Sequence, residues 1–258
     1  MRRRSLAVGI VTVAAGIVGF FLRRRFVADG FDESTGFPVP SAVKWLLVGL
    51  TLSTVVFLFA ATLGKKLKTE KRGSATGKPL LPFFCVLVSS ALIAAGSLLL
   101  PRHSISRVQI FPKIETALAV MGVIAAVSQA AAALGRLLGR KGRGLCHLDF
   151  VPPIFAAFAL VVCYLLYASD PVVLHFAWEI LALAAAAYGL YAAAAPESSV
   201  SRWSLVRWTG LGVFFLMTAL GSLHGLGVTL GLMGLLLRLA AEFFTALFQR
   251  AGQLEDEN

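Results

Sequence analysis

The sequence predicts an all-α membrane protein, a polytopic transmembrane bundle of about eight helices. Three observations predict it: eight long apolar runs, few charged residues, and short loops whose Arg and Lys fall mostly on alternate sides. Hydrophobic residues make up 58% of the 258 and charged residues 14%, whereas a soluble domain carries about 25% charged residues. The chain therefore reads as a single transmembrane domain over residues 1–258.

The apolar runs are long enough for helices that cross a bilayer. They cover residues 5–22, 41–64, 79–100, 116–137, 150–168, 172–194, 204–222 and 227–248. A helix needs about 20 residues to cross a hydrocarbon core of about 30 Å, and it satisfies its backbone polar groups internally, as lipid requires. The first run resembles the apolar part of a signal peptide, but no clear small-residue cleavage site follows, so we expect an uncleaved span.

Glycines predict the division between the last two spans. The stretch from residue 204 to residue 248 contains no proline and is too long for one span, so it must break. The glycine-rich stretch 221–227 is the predicted turn, because glycine tolerates the backbone angles of a reversal. Gly221 and Gly225, like Gly227 and Gly231, have the four-residue spacing that lets helix backbones approach closely.

The distribution of basic residues predicts the orientation. Residues 65–78 hold six basic residues against Glu70 alone, and four more basic residues lie between Arg136 and Arg143. Cytoplasmic loops are the ones enriched in Lys and Arg, so both loops and both termini are predicted to be cytoplasmic, in a plasma membrane. This places 16 basic residues inside and 7 outside. The triplet Arg23–Arg25 falls in an outer loop and disagrees locally.

Several classes of protein are excluded or disfavoured. The net charge of +11 comes from residues at span ends, where they hold the topology and meet anionic headgroups, so nucleic-acid binding is rejected. Cys85, Cys146 and Cys163 form no disulfide framework and no metal signature. Nucleotide, zinc-protease and serine-hydrolase motifs are absent from the sequence, and no cofactor is expected.

His175 and Glu179 in the sixth run are the leading site candidates, because ionisable groups within a span are rare and usually functional. Four residues apart, they would share a helix face, with Glu179 about 12 Å below the outer end of the span. Such a pair can exchange a proton or coordinate a cation. The alternative is structural: Glu179 hydrogen-bonds to His175 or to a tyrosine of a neighbouring helix and fixes the helix register.

Asp170 and His224 complete the candidate polar site, and Arg238, Glu242 and Gln129 are secondary candidates. Asp170 and His224 fall on the same outer side in this topology, although their spacing matches no metal signature. Arg238 and Glu242 are four residues apart in the eighth run and are expected to neutralise each other within the helix. Gln129, within the fourth run, is expected to hydrogen-bond to another helix.

One stretch of the chain carries a family resemblance. The residues from Ala168 to Glu179, with the alanine-rich run that ends in Tyr188 and Tyr191, resemble uncharacterised bacterial multi-pass membrane proteins. The resemblance covers about one hairpin and implies no particular activity.

Three functional hypotheses fit these features. The first is a small transporter, or a transporter membrane subunit, that takes a small solute or cation from the outer face through Glu179 and His175. The second is a non-catalytic interaction or sensor subunit that packs through its glycine faces on a membrane partner or a second copy. The third is an intramembrane enzyme that modifies lipid. All three share the bilayer as a partner.

Overall fold

Helices account for nearly all of the regular secondary structure in the described residues. The computed structural model describes residues 2–32, 37–63, 80–100, 112–138, 147–167, 172, 176–196, 199–222 and 224–248. Within these ranges it contains eight α-helices: α1 (Arg2–Asp29), α2 (Ala42–Leu63), α3 (Leu80–Leu99), α4 (Pro112–Leu137), α5 (Val151–Tyr167), α6 (Ala177–Ala194), α7 (Arg202–Ala219) and α8 (Leu226–Phe248). One isolated β-bridge joins Phe31 and Pro38. The predicted helical membrane bundle is confirmed at this level.

Six of the described helices are long and apolar enough to cross a membrane: α1, α2, α3, α4, α6 and α8. Helix α5 is apolar but shorter, over Val151–Leu166. Helix α7 carries Arg202 and Arg207 in its first turns, yet twelve of its eighteen residues are buried. The lower apolar content of α7 therefore fits its position inside the bundle, where other helices shield it from lipid.

Two groups of helices make up the bundle. Helices α3, α4, α5 and α6 pack in succession, and α8 closes the group by packing on both α3 and α6. Helix α7 packs outside this ring against α6 and α8, and α1 and α2 pack against α7. The ring matters for function because its inner side chains enclose a cavity.

Two of the helix boundaries that differ from the sequence prediction bear on the site. Helix α1 continues past residue 22, through the arginine triplet, to Asp29, so Arg23 lies in a helix and not in a loop. Arginine is a good helix former, and the helix ends where the Gly30 N–H bonds to the Phe26 carbonyl at 2.8 Å. Helix α6 begins at Ala177, later than the predicted start at residue 172, which places Glu179 in its first turn.

A chain of polar contacts links three helices of the ring. As expected from the sequence, Gln129 of α4 bonds across to α3: its Nε2 donates to Ser89 Oγ at 2.9 Å and to the Val86 carbonyl at 3.2 Å. Ser89 Oγ then donates to the Gly234 carbonyl of α8 at 2.7 Å. All three contacts are buried, so they fix the lateral register of α4, α3 and α8.

We expect Ser89→Ala to lower the free energy of unfolding by about 0.6–1.5 kcal/mol, the range typical of a buried interhelical hydrogen bond. The variant removes the acceptor of Gln129 Nε2 and the donor to Gly234. Ser53→Ala is the matched control, since its hydroxyl is exposed and bonds only within its own helix. Unfolding in mixed micelles measures both, and equal stabilities would contradict a register role.

Candidate functional site: a buried ion cluster beside a cavity

Four polar side chains from three parts of the chain meet at one end of the bundle, and we call them the ion cluster: Arg23, Glu179, Ser222 and His224. Arg23 Nη2 lies 3.3 Å from Glu179 Oε1 and 3.5 Å from Oε2. Ser222 Oγ donates to Glu179 Oε1 at 2.5 Å, and His224 Nε2 lies 3.4 Å from the same oxygen. A single carboxylate therefore joins α1, the first turn of α6 and the α7–α8 turn.

Arg23 is the most deeply placed member, with no exposed surface. Its Nε donates to Ser222 Oγ at 2.9 Å. Its guanidinium carbon lies 5.0 Å from the ring centroid of Trp178 and 5.8 Å from that of Phe26. A buried charge is tolerated only when it is paired and hydrogen-bonded, and aromatic faces add further attraction. Arg23 has a carboxylate partner, side-chain hydrogen bonds and two aromatic rings around it.

Local structure positions the carboxylate. Glu179 is 5% exposed and is the acidic residue in the first turn of α6. The N-terminus of a helix carries partial positive charge from its free N–H groups, so it stabilises an anion there. His224 is held at the other side of the cluster, where its Nε2 also lies 3.2 Å from the Ala219 carbonyl. His224 is thus held by a backbone carbonyl as well as by Glu179.

A cavity of about 550 Å³ lies beside the ion cluster, and Glu179 and His224 line it. Most of the other lining residues are apolar and come from α3, α4, α5 and α8; they include Leu100, Leu118, Phe155, Val162, Leu232 and Leu235. Ser97 and the half-buried Cys163 add a hydroxyl and a thiol. The cavity therefore has an apolar body and a polar wall made by the carboxylate and the imidazole.

Glycines shape one wall of the cavity where α3 crosses α8. A Cβ added at Gly96 would lie 2.6 Å from the backbone N of Gly231 and 2.7 Å from the carbonyl of Gly227. The two backbones are thus in direct contact, as small-residue spacing allows. A Cβ added at Gly231 meets no atom within 4 Å. Gly231 lines the cavity, so its missing side chain leaves space open to a ligand.

The structure brings together only part of the predicted site. Glu179 and His224 lie side by side, whereas His175 and Asp170 lie outside the described residues. Arg238 and Glu242 form an intrahelical ion pair at 2.8 Å. Arg238 is 8% exposed, and its Nε has no hydrogen-bond partner among the described residues, so this pair is largely buried in the bundle.

Gln129 is not part of the ion cluster either, because its side chain makes hydrogen bonds between α4 and α3. It does not line the cavity beside the ion cluster. Its buried amide therefore has the structural role that an interhelical hydrogen bond gives it.

Three residues at this end of the bundle were not recognised from the sequence: Arg23, Ser222 and Glu115. Arg23 could have been found by extending the buried face of α1, since Gly16, Gly19, Arg23 and Phe26 recur at helical spacing and all are buried. Glu115 lies in the first turn of α4 and is 5% exposed, and its Oε1 has no hydrogen-bond partner among the residues that the structure describes. Ser222 carried no signal, because a serine in a turn is ordinary.

The site is suited to hydrogen bonding and proton exchange more than to metal binding. Within the described ranges, no group of three or more His, Cys, Asp and Glu side chains is placed to hold a metal ion. By contrast, the His224 imidazole contacts one oxygen of the Glu179 carboxylate, and both side chains line the cavity. They can accept a hydrogen bond, and the imidazole can also donate one.

These observations define the class of the protein: it is a multi-pass helical membrane protein, with six helices apolar enough to contact a lipid bilayer. No protein family, no curated protein and no solved structure matches this chain. The function must therefore be argued from the cavity and the ion cluster.

Proposed function

We propose that the protein is a small transporter, or the membrane subunit of one, and that its solute binds in the cavity against Glu179 and His224. The observation that carries the proposal is a carboxylate and an imidazole on the wall of one apolar cavity. Ligand sites typically measure about 300–1,000 Å³ and combine an apolar lining with a few polar groups, and the volume of about 550 Å³ falls within that range.

We further propose that all eight helices cross a plasma membrane, with both termini cytoplasmic and the ion cluster in the outer half. The cavity supports helices that alternate in direction, because it is lined by late residues of α3 and by early residues of α4, α6 and α8, together with residues along most of α5. The basic residues support the orientation, at 16 inside against 7 outside. The charge of Arg23 is weak evidence against this orientation, because the Glu179 carboxylate neutralises it.

The hypothesis of an interaction subunit depended on glycine faces free to meet a partner. Gly227 packs within the chain, with Gly96 O 3.0 Å from the position of its missing Cβ. Gly221 packs against α1, close to the Phe20 carbonyl and the Arg23 side chain. Both glycines make contacts inside the bundle. They therefore favour the interaction-subunit hypothesis less than they favour the transporter proposal.

A lipid-modifying enzyme is the second candidate, because Cys163 lines the same cavity as His224 and Glu179. A thiol, an imidazole and a carboxylate are the residue types of nucleophilic catalysis. The test is to incubate the purified protein with a total lipid extract and measure released fatty acid. Release that disappears in Cys163→Ser would favour the enzyme, and no release from the unmodified protein would exclude this reaction.

The transporter proposal is tested by filling the cavity. Gly231→Leu places a side chain in open space within it, and Gly49→Leu is a matched control on α2 whose added Cβ also meets nothing within 4 Å. Both substitutions raise helix propensity. We expect mass spectrometry of the purified proteins to find a co-purified small molecule in the unmodified chain and in Gly49→Leu. Gly231→Leu should retain about tenfold less.

Transport of that molecule into proteoliposomes should follow the same order. Equal amounts of co-purified molecule in the two variants would contradict a binding role for the cavity. Binding without uptake would point to a sensor that uses the same cavity.

A further inference from the structure

We propose that the ligand of this cavity is an uncharged amphiphile, with a hydrocarbon body and a hydrogen-bonding head that carries no net charge. This inference rests on the proposed function, since it names the class of solute that the cavity takes. It excludes the cation considered from the sequence alone.

The charges of the ion cluster already balance. Arg23 and Glu179 contribute one positive and one negative charge, and they lie 3.3 Å apart. A further charge brought into an apolar interior without its own partner would cost several kcal/mol. Glu115, the other buried carboxylate at this end, does not line the cavity. With a neutral imidazole at His224, the cavity therefore offers a ligand no unbalanced charge.

The geometry of Glu179 disfavours a cationic head. Arg23 Nη2 lies within 3.5 Å of both carboxylate oxygens. A cation bound to either oxygen would therefore lie close to a guanidinium that has no exposed surface. Because like charges repel strongly where water is absent, this carboxylate is a poor site for an ammonium group or a metal ion.

An anionic head is disfavoured for the opposite reason. Of the two paired charges, the Glu179 carboxylate lines the cavity, whereas Arg23 is fully buried and is engaged by that carboxylate. An entering anion would meet negative charge before positive charge. A hydroxyl or amide avoids both penalties, because it can donate to the Glu179 carboxylate and either donate to or accept from the His224 imidazole.

The remainder of the cavity fits a hydrocarbon chain or ring. Leucine, valine and phenylalanine side chains dominate its lining, and the glycines of α3 and α8 leave one wall without side chains. Burial of apolar surface contributes about 25 cal/mol per Å² to binding. The lining therefore favours binding of a ligand whose body has no polar groups. A molecule with such a body also partitions into a bilayer.

Three amphiphiles with one tail and different heads test the inference: 1-dodecanol, dodecylammonium and laurate. The reporter is Cys163, which lines the cavity, and the internal control is Cys85, which is also half-buried but does not line it. The protein carries Cys146→Ser and is held in lipid nanodiscs. N-ethylmaleimide alkylation of the two thiols is followed by peptide mass spectrometry in the presence of each amphiphile.

We expect 1-dodecanol to slow alkylation of Cys163 about tenfold at about ten times its Kd, without slowing alkylation of Cys85. Dodecylammonium and laurate should slow Cys163 alkylation less at equal concentration in the bilayer. Gly49→Leu should keep the protection by 1-dodecanol, whereas Gly231→Leu should remove it.

Stronger protection by either charged amphiphile would overturn the inference while leaving the proposed function intact. Protection of Cys163 by none of the three would also overturn it. If Gly231→Leu also leaves the co-purified molecule unchanged, the proposed function fails as well.

Discussion

Glu179→Ala is expected to lower the free energy of unfolding by about 3–5 kcal/mol, the usual cost of removing one partner of a buried ion pair. The substitution leaves the Arg23 guanidinium without its carboxylate, in a position that has no exposed surface. It also removes the acceptor of Ser222 and the contact with His224. Equilibrium unfolding in mixed micelles, with intrinsic tryptophan fluorescence as the signal, measures the change.

Arg23→Met should cost less than Glu179→Ala, although both break the same pair. The carboxylate that remains in Arg23→Met keeps Ser222 as a donor, and the His224 imidazole still lies 3.4 Å away, where its Nε2 can donate to the carboxylate. Arg25→Met is the matched control. Arg25 is two residues further on the same helix, but its side chain is 73% exposed and lies 3.7 Å from Asp29, and exposed pairs contribute about 0–1 kcal/mol.

The double variant Arg23→Met with Glu179→Met separates lost charge pairing from lost packing. Replacing a whole buried pair by apolar side chains is often neutral or stabilising, so the double variant should be more stable than Glu179→Ala alone. The double-mutant cycle, completed with Glu179→Met, gives the coupling energy. A coupling energy near zero, or equal losses for Arg23→Met and Arg25→Met, would show that the buried pair contributes nothing specific.

The location of the helices was largely predictable because lipid allows few alternatives. A long apolar segment must satisfy its backbone hydrogen bonds internally, so each of the eight runs had to be a helix, and a helix lies in each. The boundaries were less predictable. Helix α1 continues past its apolar run because Arg23 has a buried partner on α6, and a tertiary contact of this kind leaves no trace in local hydropathy.

The candidate site was predictable in kind but not in composition. A carboxylate in the sixth run is costly in lipid, and this cost alone selected Glu179, which proves to be buried. Its partners follow from helix packing: Arg23 comes from α1 and His224 from the turn before α8. Arg23 and Arg25 lie in one arginine triplet, and only the helical spacing of Arg23 from Gly16 and Gly19 separates the buried arginine from the exposed one.

The glycine contacts of the α3–α8 crossing lead to a second prediction of large effect. We expect Gly96→Leu to destabilise the bundle by at least about 2–3 kcal/mol, the upper range of overpacking costs, although leucine raises helix propensity by about 1 kcal/mol. Its Cβ would lie 2.6 Å from Gly231 N and 2.7 Å from Gly227 O. Backbone atoms cannot rotate out of the way, so the two helices must separate.

Separation of α3 from α8 should disturb the cavity as well as the stability, because both helices line it. Gly96→Ala should produce the same defect in milder form, since the clash begins at Cβ. Gly49→Leu is the control, because its added Cβ meets nothing within 4 Å. The melting temperature in nanodiscs and the rate of Cys163 alkylation should therefore both change in Gly96→Leu. Neither should change in Gly49→Leu. An unchanged melting temperature in Gly96→Leu would mean that the crossing is not close-packed, and the wall that glycine forms in the cavity would need another explanation.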